Sequence, residues 1–187
     1  MGWTPEFEMT KCWNITMPLE GFEKEFNDTM RQDLMHFNIS TPEIVVDIGG
    51  GALGGVFSVL NMGKRKILVD PLANEYKRKF NKIPEGIETI NAYCNNTLLE
   101  DCSVDIIFCF DTLDHCNSKD EYNQSVQEIR RILKIGGVIY FIFPLREKPT
   151  DGHPLKISIG EILKPFEGMN VKESVEDNHL YLRGVKI

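Results

Sequence analysis

The chain is expected to fold as an α/β protein: a mostly parallel sheet with helices on both faces, closed at its C-terminal end by an antiparallel hairpin. Three observations predict this. Short apolar runs, "EIVVDIGG", "KILVD", "VDIIFCF" and "VIYFIF", alternate with helical stretches, and such unbroken runs suit strands buried on both faces. The closing stretch "MNVKESVEDNHLYLRGVKI" leaves no room for a crossover helix and reads as two strands joined at Asp177-Asn178. Finally, 187 residues with 42% hydrophobic side chains supply one sizeable core and no second one. One unit, 1–187, is therefore expected, with an N-terminal arm and helix over 1–40 and a core over 43–187.

In chain order, residues 1–18 mix Trp3, Pro5, Trp13 and Pro18 without period and read as an irregular arm. Phe22, Phe26, Met30, Leu34 and Phe37 recur at three- and four-residue steps and predict an amphipathic helix over 19–38. After the first strand a helix is expected over 53–62, then the strand "KILVD", a helix over 74–81, a short strand at "IETIN" and the strand 104–110. Ser118 with Glu121 three residues on predicts a capping box opening a long helix, which Gly136 and Gly137 should stop before the strand 138–143. A Pro- and Gly-punctuated loop, a short helix over 158–165 and the hairpin follow.

"VVDIGGGALGG" contains Gly49-x-Gly51-x-x-Gly54, and Asp70 lies at the tip of the next strand, the spacing at which an acid receives the ribose hydroxyls of an adenosine. Asp47 decides between ligands. Its carboxylate would oppose a pyrophosphate, whereas S-adenosyl-L-methionine has no phosphate and carries an ammonium and a sulfonium. The alternative for Asp47 is a cap on the loop amides, and for Asp70 a cap before Pro71.

Four segments in order, "VVDIGGG", "ILVDP", "DCSVDIIFCFDTLDH" and "EIRRILKIGGVIYFIF", resemble the class I S-adenosylmethionine-dependent methyltransferases, in particular the small group called methyltransferase type 11. The resemblance runs from about residue 43 to the C-terminus and implies a three-layer Rossmann-like methyltransferase fold, with seven strands of which the last is antiparallel. It also implies that Asp47, Gly49, Gly50 and Gly51 surround the methionine part of S-adenosyl-L-methionine, that Asp70 holds the ribose, and that Pro71 and Leu72 flank the adenine. The family often has an acid after the third strand; here Tyr93 and Cys94 stand in its place, so the candidate adenine contact is the backbone of Cys94 or the side chain of Asn95. S-adenosyl-L-homocysteine is the implied product.

Methyl transfer to oxygen needs an aligned acceptor and benefits from a base. The candidates are Asp111 at the end of the fourth strand, where it would also touch the cofactor, His115 in "DTLDH", and His153 in "DGHP" after the fifth strand. No metal is expected, because no second carboxylate follows on the fifth-helix side. A net charge of -7 and the lack of an "NPPY" or "DPPY" motif argue against nucleic acid. No apolar run approaches the roughly 20 residues of a membrane span, and five cysteines without a CxxC pair suggest reduced thiols and a cytoplasmic setting.

The expected function is O-methylation of a small metabolite or a sugar or glycan acceptor. The arm and helix, with Trp3, Trp13 and the Phe stripe, would cross the cofactor mouth and wall the acceptor side, or else the helix only covers the sheet edge; a homodimer or partner subunit could complete an open pocket. Two other readings stand: a catalytically idle, cofactor-binding regulatory or assembly subunit, and an NAD(P)-dependent oxidoreductase, against which position 126 is Val126 and not the lysine that Tyr122 would need.

Overall fold

The computed structural model describes residues 2–12, 19–37 and 42–187. Helix α1 (Pro5–Phe7) and a π-helical turn, Glu8–Cys12, precede α2 (Leu19–Met35). Then come β1 (Ile44–Ile48), β2 (Arg65–Val69), α3 (Ala73–Lys79), β3 (Ile87–Ile90), β4 (Val104–Phe110), α4 (Lys119–Ile132), β5 (Leu133–Pro144), α5 (Ile159–Leu163), β6 (Met169–Glu176) and β7 (His179–Lys186). They form one seven-stranded sheet in the order β3-β2-β1-β4-β5-β7-β6. The first five strands are parallel; β7 runs antiparallel to β5, and β6 to β7. The chain winds outward from β1 to β3 and then returns to β4, so the crevice at the carboxyl ends of β1 and β4 is the switch point where α/β sheets bind ligands.

Alternation within the strands divides the core between the two faces. Val46, Ile48, Ile107, Cys109, Ile139 and Phe141 point to the side covered by α4 and α5, packing on Tyr122, Val126, Ile129 and Ile162. Val45, Ile106, Phe108, Tyr140 and Ile142 point to the other, where Met30 of α2 and Phe57 cover them. Fully burying a side chain of this size stabilises by about 1.5–3 kcal/mol, so the central strands anchor the site above them. The hairpin turns at Asp177 (φ 46°) and Asn178 (φ 60°), the left-handed pair a two-residue loop needs.

Four local expectations differ. The arm expected to be irregular is helical over 5–12, where Thr4 caps the first turn by accepting from the Phe7 amide. The helix expected over 53–62 is only a 3-10 turn, Gly55–Ser58. Gly54 and Gly55 both take positive φ, glycine costs about 1 kcal/mol in a helix, and the Val56 amide is bound by Asp47. At α4, Ser118 Oγ does accept from the Glu121 amide, but the Glu121 carboxylate accepts from the Asn117 amide, so the reciprocal half of a capping box is missing. The complete box is at α5, between Ser158 and Glu161. Lastly, α4 ends at Ile132 without glycine; Gly136 and Gly137 instead lie in an irregularity of β5, where Leu133 faces Val104 and Val138 faces Ile106.

Candidate active site

A cavity of about 430 Å³ opens at the switch point. Its deep wall is the loop after β1. Gly49 takes φ +76°, and a Cβ there would sit 2.3 Å from Thr112, whose Oγ1 lies 2.8 Å from the Phe110 carbonyl and 3.1 Å from that of Ile48. Thr112 thus clamps the loop to the end of β4. It had no signal in the sequence, because its partner is 64 residues away.

Asp47 and Asp70 brace the loop from below. Asp47 is 2% exposed and Oδ2 accepts from the Val56 amide at 2.8 Å; a Cβ on Gly55 would meet the same oxygen at 1.9 Å. Asp70 accepts from the Gly51 amide at 3.1 Å and the Leu72 amide at 2.8 Å. Both acids therefore do cap amides, and both also line the cavity. Burial pushes the Asp47 carboxyl up to about 7, against the bond from Val56, and that of Asp70 up to about 6, against the bonds from Leu72 and Gly51. Gly49, Gly50, Gly51, Pro71, Cys94 and Asp111 line the same cavity. Leu72 does not; it packs beneath, with Ala52 and Tyr76.

The opposite wall comes from the loop after β4, backed by the loop after β5, which lines a neighbouring cavity. Asp111 takes φ +47°, and loss of hydration, helped by the charge of Asp114, pushes its carboxyl up to about 7. His115 lines the cavity, with Nδ1 2.8 Å from the Gly152 carbonyl. His153 lines a second, neighbouring cavity of about 300 Å³. Its ring packs 4.2 Å from that of His115, and its Nδ1 lies 2.6 Å from Oδ2 of buried Asp114, which also accepts from Arg146. These partners hold the Asp114 carboxyl below its ordinary value despite burial. Asp114 and Arg146 were missed in the sequence: the pairs span 39 and 32 residues and no local pattern joins them.

Asp114, His115 and His153 have residue types that could hold a metal ion, with ligand atoms within 4.8 Å of one another. Arg146 on the Asp114 carboxylate opposes a cation there, and His153 already uses Nδ1 on the same oxygen. On the outer side Trp3, Phe22, Phe26 and Met30 wall the cavity, as expected of the arm and helix. Trp13 lies outside the described residues.

The residues fit S-adenosyl-L-methionine. The loop offers backbone unobstructed by side chains, and the carboxylates of Asp47, Asp70 and Asp111 face the cavity, while among the described residues no Lys or Arg lines it. That charge distribution favours a phosphate-free cation and opposes a pyrophosphate.

The model of the methyltransferase domain family matches residues 46–141, a little over half of the chain, and the chain belongs to that family. Its cofactor is S-adenosyl-L-methionine. Among solved structures, a SAM-dependent methyltransferase from Aquifex aeolicus is 21% identical, with a TM-score of 0.65, covering 89% of this chain and 98% of that one. A SAM-dependent methyltransferase from Thermotoga maritima, described as a possible histamine N-methyltransferase, is 20% identical with a TM-score of 0.67 over 89% of this chain and 92% of that one. A Haloferax volcanii protein in complex with the Trm112 methyltransferase activator is 16% identical, with a TM-score of 0.68 over 89% and 91%. These likenesses show the fold. No curated protein matches the sequence. Among the described residues, no helix is long and apolar enough to cross a membrane.

Proposed function

We propose that this member of the methyltransferase domain family transfers a methyl group to an oxygen of a small metabolite or a sugar. S-adenosyl-L-methionine supplies a methyl group made electrophilic by its sulfonium. Gly49, Gly50 and Gly51 would hold the methionine part over Asp47, Asp70 the ribose, and Pro71 and Cys94 the adenine, with Leu72 supporting that turn from below. Asp111 would face the charged end of the cofactor.

The observation that carries the oxygen reading is the orientation of His115. With Nδ1 donating to the Gly152 carbonyl, Nε2 keeps a lone pair for the proton of an acceptor hydroxyl in the cavity this ring lines. His153, packed behind it and tied to Asp114, holds that ring in place. Asp111, with a carboxyl near 7, is the second proton acceptor suited to neutral pH. A single unit working in the cytoplasm is part of this reading. So is a second copy or a partner subunit over the open side, in keeping with the activator complex of the Haloferax volcanii protein.

The test is methyl transfer from radiolabelled S-adenosyl-L-methionine to a panel of sugars, small alcohols and amines. We expect label on hydroxyl groups, with turnover that falls when His115 is replaced. Label on amines alone, or cofactor binding with no transfer to any class, would sink the oxygen reading.

A further inference from the structure

We propose that Cys94 and Cys116 form a reversible dithiol–disulfide site in the wall of the cofactor cavity, oxidised by a small-molecule disulfide of the glutathione class, and that its closure excludes the cofactor. The inference rests on the reading that this end of the cavity holds the adenine.

The two cysteines come from different loops. Cys94 lies in the turn after β3 that Asn96 N–H closes onto the Tyr93 carbonyl at 3.0 Å, and Cys116 ends the 3-10 turn after β4. Ser125 of α4 brings them together: its Oγ is 3.1 Å from Cys94 Sγ and 4.0 Å from Cys116 Sγ. Ser125 gives its own hydrogen to the Glu121 carbonyl, 2.8 Å away, so toward the thiols it is an acceptor. Both thiols are free and both residues line the cavity.

The pair is unequal, which sets the order of attack. Cys94 is half-buried and Cys116 is 3% exposed. A hydrogen bond from Cys116 holds the Cys94 thiol below its ordinary value, and the same bond, with burial, pushes the Cys116 thiol up. Cys94 is thus the attacking sulfur and Cys116 the resolving one. The Cys94 thiolate attacks one sulfur of oxidised glutathione, forming a mixed disulfide and expelling a glutathione thiolate, which takes the Cys116 proton. With the charge on Cys94 gone, the main influence that kept Cys116 protonated is removed. The Cys116 thiolate then attacks the Cys94 sulfur and expels the second glutathione thiolate. Two electrons pass from the protein thiols to the oxidant disulfide. Bonded sulfurs lie about 2.05 Å apart, so closure draws the loop after β3 against the turn after β4 at the cavity wall.

The experiment compares protein equilibrated with oxidised and with reduced glutathione. Unreduced peptides are mapped by mass spectrometry, and S-adenosyl-L-homocysteine is titrated by calorimetry. We expect a Cys94–Cys116 cross-linked peptide and a Kd raised by about tenfold or more, reversed by dithiothreitol. Ligand present during oxidation should slow the cross-link. Cys116→Ser should stop at a glutathione mixed disulfide on Cys94, with no internal cross-link, which separates pairing from general damage. A map without the cross-link, or equal affinity in the two states, overturns the proposal. A reduced protein that binds no S-adenosyl-L-homocysteine overturns the cavity reading, and with it the exclusion, whatever the map shows.

Discussion

The two walls of the cavity are made in opposite ways. The glycine wall comes from two short stretches near in sequence: Asp47, Gly49 to Gly51 and Gly55 on β1 and its loop, and Asp70 and Pro71 at the tip of β2, tied by amide-to-carboxylate bonds that span 2, 9 and 19 residues. The other, which we propose as the acceptor wall, is Asp111, Thr112 and His115 after β4, backed by Arg146–His153 after β5, which lines the neighbouring cavity and packs on Phe7 of α1 at Gly152. A wall built from backbone leaves no room for side chains; a wall built from side chains can lose one and keep its shape. Substitutions should therefore break the first through folding and cofactor binding, and the second through turnover.

The largest effect is expected at Gly55→Ala. The new Cβ would overlap Asp47 Oδ2 in a residue at φ +53°, and together the left-handed strain and overpacking should destabilise by about 2–4 kcal/mol. Thermal unfolding checks it, and an unchanged melting temperature would mean that Asp47 is free to move away. Next is His115→Ala, for which a turnover loss of about a hundredfold is the ordinary result of removing a general base, with S-adenosyl-L-methionine affinity nearly unchanged. His153→Ala should lower turnover less, since it acts through His115. A larger loss at His153 than at His115, in single-turnover assays of the two variants, would reverse their roles.

The same contrast explains what the sequence revealed. The glycine wall was legible because its partners are near in sequence and its residue types are restrictive: glycines beside a carboxylate, and an acid at the next strand tip. The strands and the hairpin were legible for similar local reasons, apolar runs and the Asp177-Asn178 turn. The helix over 53–62 was misread because periodicity carries no record of Asp47 capturing the Val56 amide. On the acceptor wall His115 and His153 could be named from their loops. That their rings pack together, and that Asp114 and Arg146 hold the second, depends on β4 and β5 pairing Phe110 with Ile142, which brings the two loops together.

Asp70→Ala sharpens the comparison at intermediate size. Leaving the Gly51 and Leu72 amides and the ribose hydroxyls without their charged partner should weaken cofactor binding by about 1–3 kcal/mol, read by calorimetry on folded protein. If affinity stays the same while the melting profile is normal, Asp70 is only a cap and the ribose lies elsewhere.

The smallest effect is a pH dependence whose sign should differ between stability and cofactor binding. Asp47 and Asp70 have carboxyls raised by burial to about 7 and about 6, against an ordinary value of 3.8 in the unfolded chain. Between roughly pH 4 and 7 the folded chain therefore holds more protons at these acids than the unfolded chain does, and their contribution to stability falls as pH rises. Cofactor binding should run the other way, because a cationic ligand prefers the ionised acids. Its affinity should rise through pH 6–7, by no more than about tenfold per proton per unit. Asp111, raised to about 7 on the acceptor wall, adds to both trends. Asp114 is held below its ordinary value by His153, so its contribution is present above the ordinary carboxylate range and is lost only as pH falls below it. Melting temperatures and S-adenosyl-L-methionine affinities measured from pH 5.5 to 7.5, for wild type and Asp70→Asn, decide the matter. The wild type should show opposite slopes, and the variant should flatten both by the share Asp70 carries. Parallel slopes in the wild type, or a variant that changes neither, would mean that the protons gained on folding are not at the glycine wall.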